Sequence, residues 1–567
     1  MMSNLKVFSI LSTIFVFIFV VVTANEDSFV TIKWGKIRGQ VSELESKKVA
    51  QFIGIPYAEP PVGQYRFRKP RPLEGKFKGD GVFDATKPRT YCVESSFPVP
   101  DTDPDQLADN KPESEDCLTL DVWSPVESLS ASESDLRPVL VFIPGGGFLI
   151  DDSRKRDQRG DIMAARGDIV VVIVRYRLGV FGCLFGDRDD MPGNLPLEDQ
   201  SLALEWVRDN IQYFGGDSEK VTISGLSAGS ISVSLHYMKP GARSLFHQAI
   251  LQSGAIKTDV EESIDDAMKR MRYVAKKVGC GDKSLEKTIN CLREVDLRKL
   301  AKAYHESGFN MENKLNMPVC LVNKGIYSQT GADRRLINGD IPKNIATLVT
   351  VMQDEGTVMS AIFAFDKTKS YLDNIRYLAP VWSPSIRDEQ IEDLIRLYFG
   401  GIVKDLTDVK QITHQTSKAI LMMLSDRYFR CPSIWFAEKV MNSSSVHTAE
   451  YVEISDHVSS LPPPLVYRTD YGTRHGADSL YIFGDPIREK TKFPEVDVKM
   501  AEKVQDIWLE FVKTGKLQWA PYMKLSNGEV IPFQYQIRLK ENSPETAIDP
   551  RYHHCQVWKK IHYGDKF

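Results

Sequence analysis

Apolar residues gather into short runs bounded by turn-forming residues at 139–143, 169–174, 221–223, 249–251 and 348–352. Continuous runs of this length predict strands buried on both faces, as a sheet covered by helices on each side requires. Between them the spacing becomes helical. Residues 197–214 place Leu202, Trp206, Val207, Ile211 and Phe214 on one broad face, and 261–278 form a second helical pattern. Residues 498–514 repeat Met500, Val504, Trp508 and Val512 until Gly515 stops them. Strands alternating with helices predict an α/β architecture. One segment conflicts with its surroundings, because Ile231, Val233, Leu235 and Tyr237 alternate with period two, which by pattern alone is a strand.

The longest apolar run sits at the amino terminus, where Lys6 precedes residues 7–22 and the small residues Thr23 and Ala24 close it. It is shorter than the roughly 20 apolar residues of a membrane span, holds Ser9, Ser12 and Thr13, and meets Asn25, Glu26 and Asp27 at once. The reading is a cleaved secretory signal peptide over 1–24 and an exported mature chain over 25–567 with no stable membrane anchor. Residues 559–567 carry neither an apolar tail nor a retention tetrapeptide.

Composition narrows the class. The 567 residues are 42% hydrophobic and 26% charged, which excludes disordered, collagen-like and coiled-coil chains. Lys and Arg number 72 against 76 Asp and Glu, a net charge of −4, so no nucleic-acid partner is expected and small neutral or weakly polar substrates stay open. No repeat or low-complexity linker divides the mature sequence, and one domain is the simpler reading. Eight cysteines fit an oxidising compartment. Cys280 and Cys291, bracketed by helical patterns, are spaced to close a short loop. Asn442-Ser443-Ser444 is an N-glycosylation sequon, expected on a surface loop.

The chemistry begins at Gly225-Leu226-Ser227-Ala228-Gly229, a GxSxG motif directly after a predicted strand. That context defines a nucleophile elbow, in which the glycines let strand and helix approach and Ser227 is left exposed above the sheet. A serine needs a base, and the oxyanion it generates needs donors. The run 139–143 leads into Pro144-Gly145-Gly146-Gly147-Phe148, so the amides of Gly146, Gly147 and Ala228 are the candidate oxyanion hole. In elbow hydrolases the acid and the histidine follow the serine. Asp354 and Glu355 end the run 348–352, so either carboxylate can serve. Seven of the ten histidines lie beyond Glu355, and among these only His475 sits in a glycine-flanked loop. His553 and His554 beside Cys555 invite a metal reading, but no second ligand set has zinc-like spacing, and neither metal nor cofactor is expected.

Over essentially the whole mature chain these residues resemble the type-B carboxylesterase and cholinesterase family of α/β-hydrolases. The segment 52–63, with Phe52, Tyr57 and Gly63, is similar to the family's amino-terminal block, and 114–122 around Cys117 to its second signature. Asn194 to Gln200, Phe214-Gly-Gly-Asp217 and Gln252-Ser-Gly254 match further family blocks. The resemblance implies an α/β-hydrolase fold, a large central mostly parallel twisted sheet flanked by helices in a single domain. It implies a triad of Ser227, Glu355 and His475, with Glu355 rather than Asp354 as the acid. It implies disulfides Cys92 with Cys117, Cys280 with Cys291 and Cys431 with Cys555, and ion pairs of Arg66 with Glu115 and Arg177 with Asp199; Cys183 and Cys320 are left over, with free thiols as one reading and their state open.

The departures bear on substrate. No tryptophan lies between Cys92 and Cys117, where cholinesterases hold the choline cation over an indole. Leu226 stands where relatives frequently carry an acidic residue that would favour cations. Pro144 replaces the His or Tyr that commonly opens the oxyanion glycines and removes a backbone donor outside those assigned to the hole. The expectation is a secreted serine carboxylesterase acting on neutral, apolar small-molecule esters through an acyl-enzyme. The alternative is a catalytically weak or inactive extracellular ligand-binding or adhesion protein on the same fold, since fold alone does not fix function.

Overall fold

The runs of valine and isoleucine become the middle of a 13-stranded sheet. The computed structural model describes residues 26–564 apart from 45, 78, 80, 88, 89, 96–111, 152, 154–157, 257–260, 311–318, 326, 363–369, 384, 385, 401–408, 452–471, 525–529 and 539–545. The expected leader, 1–24, lies outside the described residues.

The strands are β1 (Asp27–Ile32), β2 (Gly35–Leu44), β3 (Lys47–Pro56), β4 (Val82–Asp84), β5 (Thr119–Pro125), β6 (Arg137–Ile143), β7 (Val170–Val174), β8 (Gly216–Leu226), β9 (Gln248–Gln252), β10 (Ala346–Met352), β11 (Val446–Tyr451), β12 (Phe533–Ile537) and β13 (Thr546–Ile548). Their spatial order is β1-β2-β3-β5-β7-β6-β8-β9-β10-β11-β12-β13, with β4 beside β2. From β7 to β12 every neighbouring pair is parallel, while β1, β2, β3 and β5 lead in as antiparallel strands and β13 closes the far edge antiparallel.

Side chains alternate across a strand, so a sheet covered on both sides divides each central strand between two cores. Along β6, Val139, Val141 and Ile143 enter the larger core, whereas Leu140 and Phe142 enter the second. Helices α1 (Asp161–Gly167), α2 (Leu195–Asn210), α3 (Ala228–Tyr237), α4 (Ile264–Val278), α5 (Cys431–Val440), α6 (Glu495–Thr514) and α7 (Tyr552–Tyr563) cover it. Those of α2, α3, α4, α5 and α7 share the larger core, and α1 and α6 supply Met163, Met500, Val504 and Trp508 to the second. Gly515, at φ 66°, ends α6 in the left-handed conformation that glycine adopts most readily.

The period-two segment is α3, a helix. All ten of its residues are buried, so its alternation marks no solvent face, and Ser232 and Ser234 satisfy their hydroxyls on the carbonyls of Ala228 and Ile231 at 2.9 and 2.7 Å. The residues 261 and 262, read as helix from the pattern, form instead a short strand paired with Leu321–Val322.

Cys92–Cys117, Cys280–Cys291 and Cys431–Cys555 are disulfides, and so is Cys183–Cys320, with Cα atoms 4.6 Å apart. The free-thiol reading of Cys183 and Cys320 is thereby corrected. Their separation of 137 residues carries no local signal, and only the folding of the chain brings them together. Arg66 pairs with Glu115, and Arg177 with Asp199, the latter through guanidinium bonds of 2.8 and 2.6 Å and a backbone bond of 3.0 Å.

Candidate active site

Parallel strands deliver their following loops to one edge of the sheet, and ligands of open α/β sheets bind where the strand order reverses. Here the chain passes from β6 to β7 on one side and returns to β8 on the other, so the reversal lies between β6 and β8. The glycine turn 145–147 leaves β6 and Ser227 leaves β8 at that point.

Ser227 sits between β8 and α3 at φ 57° and ψ −119°, a conformation that costs a non-glycine residue energy and is held by its surroundings. Its N–H donates to the Gln252 carbonyl at 2.8 Å. Gly225 and Gly229 are required by space, since a Cβ on Gly225 would lie 2.4 Å from the Gly229 backbone and one on Gly229 only 2.0 Å from the Ile143 oxygen. The sharp turn therefore exists because two glycines let helix, turn and strand touch backbone to backbone.

The glycine turn is packed directly against the elbow. A Cβ on Gly145 would lie 3.2 Å from Ser227 Cβ and 2.7 Å from the Leu226 oxygen. Gly146 and Gly147 take φ values of 116° and 62°, and the Gly146 carbonyl accepts the amides of Leu149 and Ile150 at 2.9 and 3.1 Å. The Ala228 amide is the first of α3, where helix N–H groups lack intrahelical acceptors.

Glu355 and Asp354, indistinguishable by position in the sequence, point to different partners. Glu355 is fully buried; its Oε1 accepts the Met352 amide at 2.7 Å and its Oε2 lies 2.5 Å from His475 Nδ1. That contact assigns the proton to Nδ1 and leaves Nε2 as the basic nitrogen. Asp354 Oδ2 instead accepts the Thr473 amide at 2.9 Å and its hydroxyl at 3.0 Å, while the Asp354 amide donates to the Thr473 carbonyl at 3.1 Å. Burial pushes the Asp354 carboxyl above the usual range against the pull of those two bonds. Gly472 leaves room for it, since a Cβ there would lie 2.3 Å from Asp354 Oδ2. The two neighbouring carboxylates thus hold the same loop, one by its histidine and the other by its backbone.

Two contributors carried no sequence signal. Phe429, in the π-helical turn Asp426–Arg430, places its ring 4.4 Å from that of His475. Ser425, just before that turn, accepts the Gly356 amide at 2.7 Å. Both reach the site from a distant helix, and only the fold joins them to it.

Leu226 departs from its expected setting. It is 2% exposed and belongs to the second core with Phe142, Ile250 and Met352. Cys555 is bonded to Cys431 and offers no thiolate beside His553 and His554, and among the described residues no group of three or more His, Cys, Asp or Glu is placed to hold a metal. Asn442 is exposed on the turn after α5. The loop in which the missing tryptophan was noted lies largely outside the described residues.

An imidazole oriented by a buried carboxylate, at the sheet edge that carries a serine elbow and bare glycine amides, is an arrangement able to carry out acyl transfer. The carboxylesterase family matches residues 26–558. Acetylcholinesterase 4 of Caenorhabditis briggsae is 30% identical to the chain, over 93% of this chain and 89% of the relative. Acetylcholinesterase-1 of Trittame loki is 29% identical over 94% of each, and esterase FE4 of Myzus persicae 29% identical over 89% and 88%.

Proposed function

The chain belongs to the carboxylesterase family and is a carboxylic ester hydrolase, and from that premise we propose that it is an exported enzyme that cleaves neutral, apolar esters through an acyl-enzyme on Ser227. The observation that carries the reading is the 2.5 Å contact of His475 Nδ1 with the buried Glu355, at the edge where Ser227 and the glycine turn meet.

In this reading Ser227 Oγ attacks the ester carbonyl as His475 Nε2 takes its proton. Glu355 holds the ring and stabilises the imidazolium. The amides of Gly146, Gly147 and Ala228 receive the negative charge that develops on the carbonyl oxygen. His475 then protonates the departing alcohol, and a water activated by the same nitrogen releases the acid. Preference for neutral esters is supported by the absence of tryptophan between Cys92 and Cys117. Export is supported by the sequence of residues 1–24 and by four disulfides, which persist in oxidising compartments. Exposed Asn442 is the proposed glycan site.

The test is hydrolysis of a series of 4-nitrophenyl acyl esters by secreted wild type and Ser227→Ala, with and without an organophosphate. The wild type is expected to give a stoichiometric, inhibitor-sensitive burst, and the variant to lose kcat by on the order of 10⁶. Turnover that survives in the purified variant overturns Ser227 as nucleophile. A folded wild type with neither turnover nor labelling returns the ligand-binding alternative. The substrate class is read from kcat/KM for a choline ester against its uncharged isostere, with the uncharged ester expected to be preferred.

A further inference from the structure

The glycine turn is strained beyond its glycines. Gly146, Gly147 and Phe148 stand in succession at φ 116°, 62° and 61°, and Phe148 is a side-chain-bearing residue in a conformation that such residues rarely keep unless the surroundings hold them there. The bonds from Leu149 and Ile150 to the Gly146 carbonyl close the turn on itself but do not fix where it points.

What fixes it comes from the segment after β7. The Tyr176 hydroxyl donates to the Pro144 carbonyl at 2.6 Å, and the Gly179 amide donates to the Phe148 carbonyl at 2.8 Å. Cys183 Sγ lies 3.7 Å from that same carbonyl, and the Tyr176 ring meets the Phe148 ring at a centroid distance of 6.4 Å. Pro144 has no N–H, so its carbonyl is the one backbone hydrogen-bonding group this residue itself offers at the entry to the turn. The segment is itself anchored. Arg177 is bonded to Asp199, and Cys183 is joined to Cys320, two residues before Val322, whose N–H and carbonyl are both bonded to the Asn194 side chain at 2.8 and 2.9 Å. Tyr176 and Cys183 are each 3% exposed and Cys320 1%.

We propose that Tyr176 and the Cys183–Cys320 disulfide are positioning residues for the oxyanion turn, which hold the amides of Gly146 and Gly147 in register with Ser227 without touching substrate. The inference rests on the ester-hydrolysis reading of the site and adds the residues on which its oxyanion donors depend. It accounts for how a turn that opens with proline keeps its orientation, since the phenol binds the carbonyl that proline retains. It also gives Cys183 and Cys320 a task beyond stapling the fold.

The test compares wild type with Tyr176→Phe and the double variant Cys183→Ala/Cys320→Ala, each verified as folded by circular dichroism. Three quantities are read: kcat and KM for 4-nitrophenyl acetate, the pH profile of kcat/KM, and inhibition by a trifluoromethyl ketone, whose tetrahedral adduct places an oxyanion in the hole. Each variant is expected to lose kcat by about 10- to 100-fold with KM within about twofold, since small misplacements of a catalytic group cost that much. Ketone affinity should fall in parallel, with the pH profile unmoved because Glu355 and His475 are untouched. A folded Tyr176→Phe enzyme with wild-type kcat and wild-type ketone affinity overturns the proposal, as does a loss confined to thermal stability. If the double variant does not fold, Tyr176→Phe decides, as it removes a single oxygen. Failure here leaves the wild-type burst intact, whereas failure of the ester-hydrolysis reading removes the burst itself.

Discussion

At the scale of single residues, adjacent positions divide the work by direction. Asp354 and Glu355 share a strand end, and sequence order alone leaves either as the acid. Glu355 turns inward to His475, and Asp354 clamps the backbone two residues before it. Side-chain direction at a strand exit depends on the local turn, which sequence spacing does not report. Leu226 teaches the same lesson. Its apolar character is plain in the sequence, but its burial in the second core follows from which face of β8 its side chain takes. Leu226→Glu would place a carboxylate among Phe142, Ile250 and Met352, and an uncompensated buried charge costs about 3 kcal/mol or more. The expected outcome is a lowered urea midpoint with unchanged relative kcat/KM for cationic and neutral esters in the fraction that folds. Wild-type stability combined with a gain in preference for cationic esters would place Leu226 in the substrate cavity instead.

At the scale of elements, α3 is the instructive case. Period-two alternation identifies a strand only when one face is wet, and α3 is buried all round, so the alternation of serines with larger residues carries no secondary-structure signal there. The elbow glycines were the stronger signal because they meet a steric requirement that a strand does not have. Total burial also fixes the charge state of His236 near the end of α3. Burial, and secondarily the Lys239 charge, lowers its pKa from 6.5 to about 3. Folded protein therefore binds fewer protons than unfolded protein between those values. Stability is full above about pH 6.5 and is lost as pH falls toward 3, at about 1.4 kcal/mol per pH unit well inside that window. His236→Gln, which can still donate to Gln200, should flatten the dependence of the unfolding midpoint on pH between 6.5 and 4. An unchanged slope would assign acid sensitivity to other groups.

For the whole molecule, the sheet order and the disulfides act together. Cys431–Cys555 ties α7 to the start of α5, directly after the π-helical turn that sets Phe429 against His475, and it closes a separation of 124 residues. A loop of that length predicts a loss of about 3 to 5 kcal/mol when the bond is removed. Cys431→Ala/Cys555→Ala is expected to unfold at lower denaturant, with kcat falling only as Phe429 loses its support. Unchanged denaturation would mean that the bond constrains nothing in the unfolded chain.

The central parallel strands, the helix that Gly515 ends and the serine elbow were legible in the chain because each is a local constraint. Buried strands require continuous apolar runs, a helix end favours glycine in the left-handed conformation, and an elbow requires two glycines at fixed offsets. The antiparallel lead-in strands and β11 to β13 were not legible, since their pairing is long-range. The same holds for the site's supports. Which phenol grips Pro144, and that Cys183 meets Cys320 across 137 residues, depend on side chains from separate segments converging at one edge of the sheet, whereas Glu355 over Asp354 was indicated by the family resemblance but not by position along the strand. Those meetings are properties of the packed chain, because contact between distant segments is set by topology and burial rather than by any residue's neighbours.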